Sequence, residues 1–463
     1  MTLNRRFNKL RHTYDSERVL SRDNIYINNL DIYLKLQQEN HFQQYWTKNI
    51  PTTSEIWKIA LLYFTHGFSG ISKIAISFYY KDILNLNPFE LSIITCITAI
   101  PLIIKPFYGF ISDSFPFFGY NRKSYLIFSS LLGSISWIIM ANFISLTNII
   151  YSVFLITLSF ISLSFTDVLI DAIAVSKIRE NQNINSIQTI FWISSSLGSI
   201  ISSYLSGYLL QNYNIAFVFY LSAVIPLITA TITIFIIEPL NFKLENSHYN
   251  TIQLLKIKIK KILKILSQKK ILYPLIFLML MNAMPKIGTT MFFFEVNKLG
   301  FQPEFFGKLA LFSSVSSLFG ILLYNLKFKS IQLRTILKWT CILGVILGIF
   351  TLILVTRVNK LIGIPDTLFV ILDDIVLSIF YKITLLPILV IATQVCPQGL
   401  EGMLFATIIS ANNLSNIIGK LLGGLLTKQI GITNDNFTNI PFFIVLTNLF
   451  GLIPLLFLKF IPK

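Results

Sequence analysis

Apolar residues come in this chain as long blocks, neither alternating nor spaced in heptads, and a block of about 20 is what an α-helix needs to cross the hydrocarbon core of a bilayer. Of the 463 residues, 54% are hydrophobic and 13% charged, where an ordinary soluble domain carries about 25% charge. Helices made of such blocks are apolar all round and belong in lipid or inside a bundle. The expected fold is therefore an all-α polytopic membrane protein. From Ile56 onward twelve transmembrane helices can be placed, at about 56–80, 90–110, 124–144, 149–175, 187–210 and 214–237, then 272–294, 305–326, 339–358, 367–395, 403–427 and 441–460. The chain then divides into a basic, mostly disordered cytoplasmic tail at 1–55, a six-helix half at 56–237, a basic linker at 238–271 and a second six-helix half at 272–463.

Basic residues orient these spans, because cytoplasmic loops collect Lys and Arg. Arg122 and Lys123, then Lys177 and Arg179, then the lysines from Lys256 to Lys270 fall on one side, joined by Lys327, Lys329, Arg334 and Lys338, whereas 145–148 and 211–213 are uncharged. That side is expected to be cytoplasmic, with both termini on it. The net charge of +17 is accounted for by tail and loops and does not call for a nucleic acid. The tail has no apolar stretch of the kind a signal peptide carries, and Asp15, Glu17, Asp23 and Asp31 count against a mitochondrial transit peptide. A plasma-membrane location is expected, with an organelle membrane as the alternative. Cys96, Cys341 and Cys396 are scattered, as are the four His, so no disulfide framework, metal site or cofactor is expected. The stretch Leu254–Leu266 is basic and amphipathic; it reads either as a helix on an anionic leaflet or as a solvated linker.

The two halves echo each other. Leu84-Asn85-Leu86-Asn87-Pro88 after span 1 is matched by Leu299-Gly300-Phe301-Gln302-Pro303 after span 7, and Asp167 and Asp171 in span 4 by Asp373 and Asp374 in span 10. Parallel six-span repeats place a substrate site between the halves near the midplane. A charge within a span costs at least about 2.5–3.5 kcal/mol, so those present face a cavity or a partner. Asp167 and Asp171, four apart, share a helix face and could carry a proton or grip a cation or an aminopyrimidine edge; one could instead pair with Lys105 or Lys177 at a cytoplasmic gate. Lys73 in span 1 and Lys286 in span 7 could each hold a carboxylate. Lys382 lies two turns from Asp374. For each of these lysines an ion pair that fixes the bundle is the competing reading. Lys308, Arg357 and Lys420 sit nearer span ends and are read as snorkelling. His66 is read as a helix-contact residue, Asn412 and Asn413 as cavity-lining or cross-helix groups, and Phe64, Tyr79, Trp192 and Phe293 as rings able to stack on a heterocycle.

Between spans 2 and 3 runs Lys105-Pro106-Phe107-Tyr108-Gly109-Phe110-Ile111-Ser112-Asp113, then Gly119, Tyr120, Asn121, Arg122 and Lys123. A Gly that lets helices approach, an Asp able to cap or pair and a basic pair are the parts of a cytoplasmic gate loop. The second Gly comes six residues after Asp113. With that spacing the string resembles the loop of the folate/biopterin transporter family, a branch of the major facilitator superfamily. Tyr63-Phe64-Thr65-His66-Gly67, Asp167 to Ala172, Gly320 to Asn325, Leu372-Asp373 and Cys396 to Ala406 are similar to further family motifs. The resemblance implies a major facilitator fold and transport of folates, pterins or related compounds, coupled to protons. Where that family tends to carry adjacent acids after a Pro in span 7, this chain has Pro285-Lys286-Ile287-Gly288, which changes the charge of the cavity. The richness in Ile, Asn and Lys fits an AT-rich genome such as an apicomplexan's.

The leading expectation is a monomeric secondary carrier working by alternating access, with a small-molecule substrate and protons as its partners in a lipid bilayer. A carrier for aminobenzoate, an amino acid or a drug-like cation is the alternative within transport, and a transport-inactive scaffold the alternative outside it. The residues offer no convergent nucleophile or metal set for an enzyme and no phosphate-binding loop for ATP drive.

Overall fold

The computed structural model describes residues 53–144, 148–178, 184–238, 251–328, 330–395 and 401–461. The tail and the loop around Cys396 lie outside them, and with them part of the domain and orientation readings. Every span placed from the sequence is a helix: span 1 Ser54–Ile83, span 2 Pro88–Ser114, span 3 Lys123–Asn142, span 4 Ile149–Ile178, span 5 Ile184–Asn212, span 6 Ile215–Ile234, span 7 Lys269–Asn297, span 8 Pro303–Phe328, span 9 Leu333–Val355, span 10 Asp366–Val395, span 11 Glu401–Ile430 and span 12 Ile440–Phe460. Among the described residues nine of these are by themselves long and apolar enough to cross a membrane. Spans 5, 10 and 11 are helices of 29, 30 and 30 residues whose Ser, Asn and charged side chains dilute their apolar character.

That dilution has a packing reason. Span 5 lies along span 1, where Gly198 approaches the Phe64 carbonyl and Phe68 nitrogen and Gly67 approaches Ser195, so neither position has room for a Cβ. Ser194 and Ser206 donate to the carbonyls of Ala60 and Ile71 at 2.6 Å each, and Ser199 and Ser202 to that of Gly67 at 3.3 and 3.4 Å. Small residues and hydroxyls of this kind hold helices together where lipid removes the hydrophobic driving force.

Span 7 is broken. Pro285 cannot donate its nitrogen and its ring clashes with the preceding turn, so the helix stops at Ala283 and restarts at Gly288. Span 11 takes up the freed backbone: the Lys286 N–H donates to the Gly419 carbonyl at 3.0 Å, and Gly419 and Gly423 press against the backbone of residues 282–286. Non-helical backbone at membrane depth is tolerated where protein satisfies it in this way.

The internal repeat is visible in the backbone. After span 1, Asn85 turns left-handed (φ 51°), and after span 7 Gly300 does the same (φ 72°). In each case the next N–H reaches back six residues, Leu86 to Tyr80 at 3.1 Å and Phe301 to Glu295 at 3.0 Å, before Pro88 or Pro303 opens the next helix.

One end of the bundle carries the loop 115–122 and the linker helix Thr251–Leu266; we call it the linker side. The helix is not simply a solvated connector. Ile262 and Ile265 are buried in a cluster with Leu275, Leu278, Ile388 and Leu404, while Lys256, Lys260 and Lys264 are exposed. Among the described residues, several contacts join the two halves between mid-bundle and the opposite, far side. Asn413 bonds to the Leu102 carbonyl at 3.2 Å and Ser203 to Ser314 at 3.2 Å; Phe78 meets Phe292 and Phe306 edge-on, at 5.3 and 5.8 Å between centroids; Gly207 and Gly307 touch backbone to backbone. The far side is thus the closed side.

Candidate functional site

Asp167 is the hub of the first half. Its Oδ2 accepts from the Lys105 ammonium, and its Oδ1 lies 3.0 Å from His66 Nε2. One carboxylate thereby ties spans 1, 2 and 4 together, and the paired alternative named from the sequence is the geometry present. Asp171, one turn on, accepts instead from the Tyr63 hydroxyl at 2.6 Å, and that ring is held by stacking on Phe191 at 5.2 Å. Two acids on one helix face therefore differ: Asp167 is neutralised by a cation and Asp171 is held by a neutral donor.

This arrangement makes a double-mutant prediction. Lys105→Ala removes one member of a largely buried pair, and loss of one partner typically costs about 3–5 kcal/mol, whereas replacing both can be close to neutral. With His66 still on Asp167, the low end applies. Thermal unfolding in detergent should show a large loss for Lys105→Ala and recovery of most of it in Lys105→Ala/Asp167→Asn.

The gate-loop residues are also placed. Gly109 sits against Val168 of span 4, where a Cβ would stand 3.3 Å from its side chain. Arg122 reaches Asp113 at 3.6 Å, and Gly119 (φ 77°) makes the turn between Phe117 and Tyr120. The basic pair does more than sit among headgroups. Glu238 accepts from the backbone N–H groups of Arg122 and Lys123, the latter at 2.7 Å, and so caps the start of span 3 with negative charge. Lys123 Nζ in turn donates to the carbonyls of Ile234 and Ile236 at the end of span 6, at 2.7 and 3.0 Å.

In the second half Lys286 projects from the break in span 7. Its ammonium donates to Asn416 Oδ1 and lies 3.5 Å from Asn282 Oδ1; Asn282 continues to Asn412 at 3.0 Å, and Asn412 to Tyr381 at 3.2 Å. These amides orient the ammonium without neutralising it. Lys73, its counterpart, lines a cavity of about 210 Å³ with Ile74, Ser77, Phe292 and Phe306. Among the described residues neither lysine has a carboxylate partner, so the ion-pair reading does not hold for them.

Several assignments change. Lys420, read as snorkelling, is exposed on span 11. Lys382 makes no ion pair with Asp374. Asp373 takes Thr351 at 3.4 Å, with its Oδ1 and the Asp374 Oδ2 unpartnered among the described residues. Glu295, which the sequence reading left just beyond span 7, lies inside it in helix Gly288–Asn297. Tyr79 and Phe293 are 1% and 0% exposed in the core, not cavity rings; the rings beside Lys73 are Phe292 and Phe306.

A helical bundle of two repeated halves, with charged side chains inside its spans and span 7 broken, has the architecture of a major facilitator transporter. Solved transporters share this fold: the nucleoside transporter NupG superimposes with a TM-score of 0.65 at 14% identity, covering 88% of this chain and 97% of that one, and a D-xylose–proton symporter with 0.64 at 12% identity, covering 88% and 97%. More specifically, the chain belongs to the BT1 family, whose pattern matches residues 66–463. It is 35% identical to the folate-biopterin transporter of Synechocystis over 88% of this chain and 82% of that one. Folate transporter 1 and folate transporter 2 of Plasmodium falciparum are 33% and 30% identical, covering 92% and 88% of this chain and 82% and 87% of theirs. The family and these relatives are transporters, not enzymes.

Proposed function

We propose that this protein is a secondary carrier for folates, pterins or related organic anions, working by alternating access as a monomer in the plasma membrane, with the linker side and both termini in the cytoplasm. The observation that carries the reading is the pair Lys73 and Lys286, one from each half, both within spans and, among the described residues, without a carboxylate partner, in a chain whose relatives are named for folate. With the far side closed, the cavity then opens to the cytoplasm. Protons are the coupling ion in this reading. Asp171 is the acceptor that the geometry favours, because it alone of the span 4 acids has no cation to hold it charged, and Tyr63 is placed to share its proton.

Uptake of labelled folate into proteoliposomes, with and without an inward proton gradient, tests both parts. Wild type should take up folate faster with the gradient, and Asp171→Asn should lose the gradient response. Absence of uptake by inserted, folded protein would sink the substrate assignment; uptake indifferent to the gradient would sink the coupling.

A further inference from the structure

The linker helix presents a surface that the carrier reading does not use. Thr251–Leu266 holds Lys256, Lys258, Lys260, Lys261 and Lys264 and no Asp or Glu. At about 100° per residue, Lys256, Lys260 and Lys264 share one face, Ile262 and Ile265 lie roughly opposite, and Ile259 and Leu263 occupy a flank between the two. These three surfaces have different surroundings. Ile262 and Ile265 are buried against Leu275 and Leu278 of span 7, Ile388 of span 10 and Leu404 of span 11. Lys256, Lys260 and Lys264 are exposed, and among the described residues none of them has a carboxylate partner. Ile259 and Leu263 are open as well, at 39% and 60% exposure.

The height of the helix says what meets that open flank. Ser267 and Gln268 alone separate Leu266 from Lys269, where span 7 begins. Their N–H groups donate to the carbonyls of Leu263 at 2.9 Å and Ile265 at 3.1 Å, so the chain passes from one helix to the next without a free loop. The end of the linker helix is therefore held where a span enters the bilayer, with Lys269 and Lys270 exposed beside it as headgroup-level lysines are. A helix lying in that plane puts its apolar side chains at the acyl boundary and its lysines among the phosphates. Here the protein covers one face, which leaves the Ile259–Leu263 flank for chains and the lysine row for headgroups. We propose that the linker helix is a binding site for anionic phospholipid, and that a lipid bound there clamps the helix onto spans 7, 10 and 11. A lysine at an anionic surface is worth about fivefold in affinity, so the row of three favours an anionic over a zwitterionic lipid on the order of a hundredfold. The site lies outside the spans and is independent of what the carrier moves.

Lipid retention by the purified full-length protein in detergent tests it. Phosphatidylglycerol should be held in strong preference to phosphatidylcholine, and Lys256→Gln/Lys260→Gln/Lys264→Gln should lose most of that preference. Should the triple variant not fold, rising salt serves in its place, since screening should erode the preference of the wild type. Glycerophosphoglycerol, the same headgroup without chains, should displace the lipid only weakly. A second measurement reads the flank itself. A fluorophore on Leu263→Cys, in a background without the native cysteines, should be quenched by nitroxide on the acyl chains and shielded from iodide in vesicles of equal parts phosphatidylcholine and phosphatidylglycerol. Iodide access undiminished there, a preference that survives both the triple variant and salt, or displacement by the chainless headgroup as effective as by the lipid would overturn the proposal.

Discussion

A leucine at Gly307 is expected to abolish transport while leaving the protein folded. A Cβ there would stand 2.8 Å from Gly207 Cα and 3.0 Å from the Tyr204 carbonyl, and one at Gly207 would stand 2.6 Å from Gly307 Cα and nitrogen. These are backbone atoms of two long helices, so no flexible side chain can give way. The contact joins span 5 of one half to span 8 of the other at the closed side. Alternating access requires that it part when the cavity opens there. A bulky side chain therefore penalises one state of the cycle and spares the other. Overpacking costs about 1–3 kcal/mol, and a bias of that size moves a two-state equilibrium about 5- to 150-fold. Cross-linking measures it: Ser203→Cys and Ser314→Cys, whose hydroxyls are 3.2 Å apart, should form a disulfide readily in a background without the native cysteines and poorly once Gly307→Leu is added. Undiminished cross-linking, or retained uptake, would show that the two helices do not separate in the cycle.

Much of this was legible in the sequence, for a reason that also sets its limit. Span positions follow from block length, and every block became a helix. The repeat followed from a turn motif that recurs because Asn85 and Gly300 both take the left-handed conformation. The pairing of Asp167 with Lys105 was named as one of two readings, since a carboxylate in a span needs a partner and few cations lie within reach. What an all-round apolar helix cannot announce is which face turns inward, and the residues misplaced are those that depend on it. Span 11 runs to Ile430, three residues beyond the end read from the sequence. Its inward face is set by Gly419 and Gly423 against the broken span 7, a contact between elements some 130 residues apart. Glu295 was lost to a boundary drawn one residue early, where helix Gly288–Asn297 continues. Tyr79 and Phe293 are aromatic like Phe292 and Phe306, and only the tertiary packing divides core rings from cavity rings.

Lys73 and Lys286, which have no carboxylate partner among the described residues, also bear on how the carrier turns over. To return without cargo, the protein must close around two uncompensated ammonium groups, and taking an unpaired charge out of water costs several kcal/mol. A bound anion offsets part of that cost. Reorientation of the loaded carrier should then be faster than that of the unloaded one, so exchange should outrun net uptake. Labelled folate at saturating concentration is expected to enter vesicles preloaded with unlabelled folate about tenfold faster than empty vesicles, a ratio that needs only about 1.4 kcal/mol between the two barriers. Lys286→Gln should bring the ratio towards one by speeding the empty return, even as it weakens binding. Equal rates in loaded and empty vesicles for the wild type would mean that the two lysines do not limit the cycle, and a ratio unchanged in Lys286→Gln would place the slow step elsewhere.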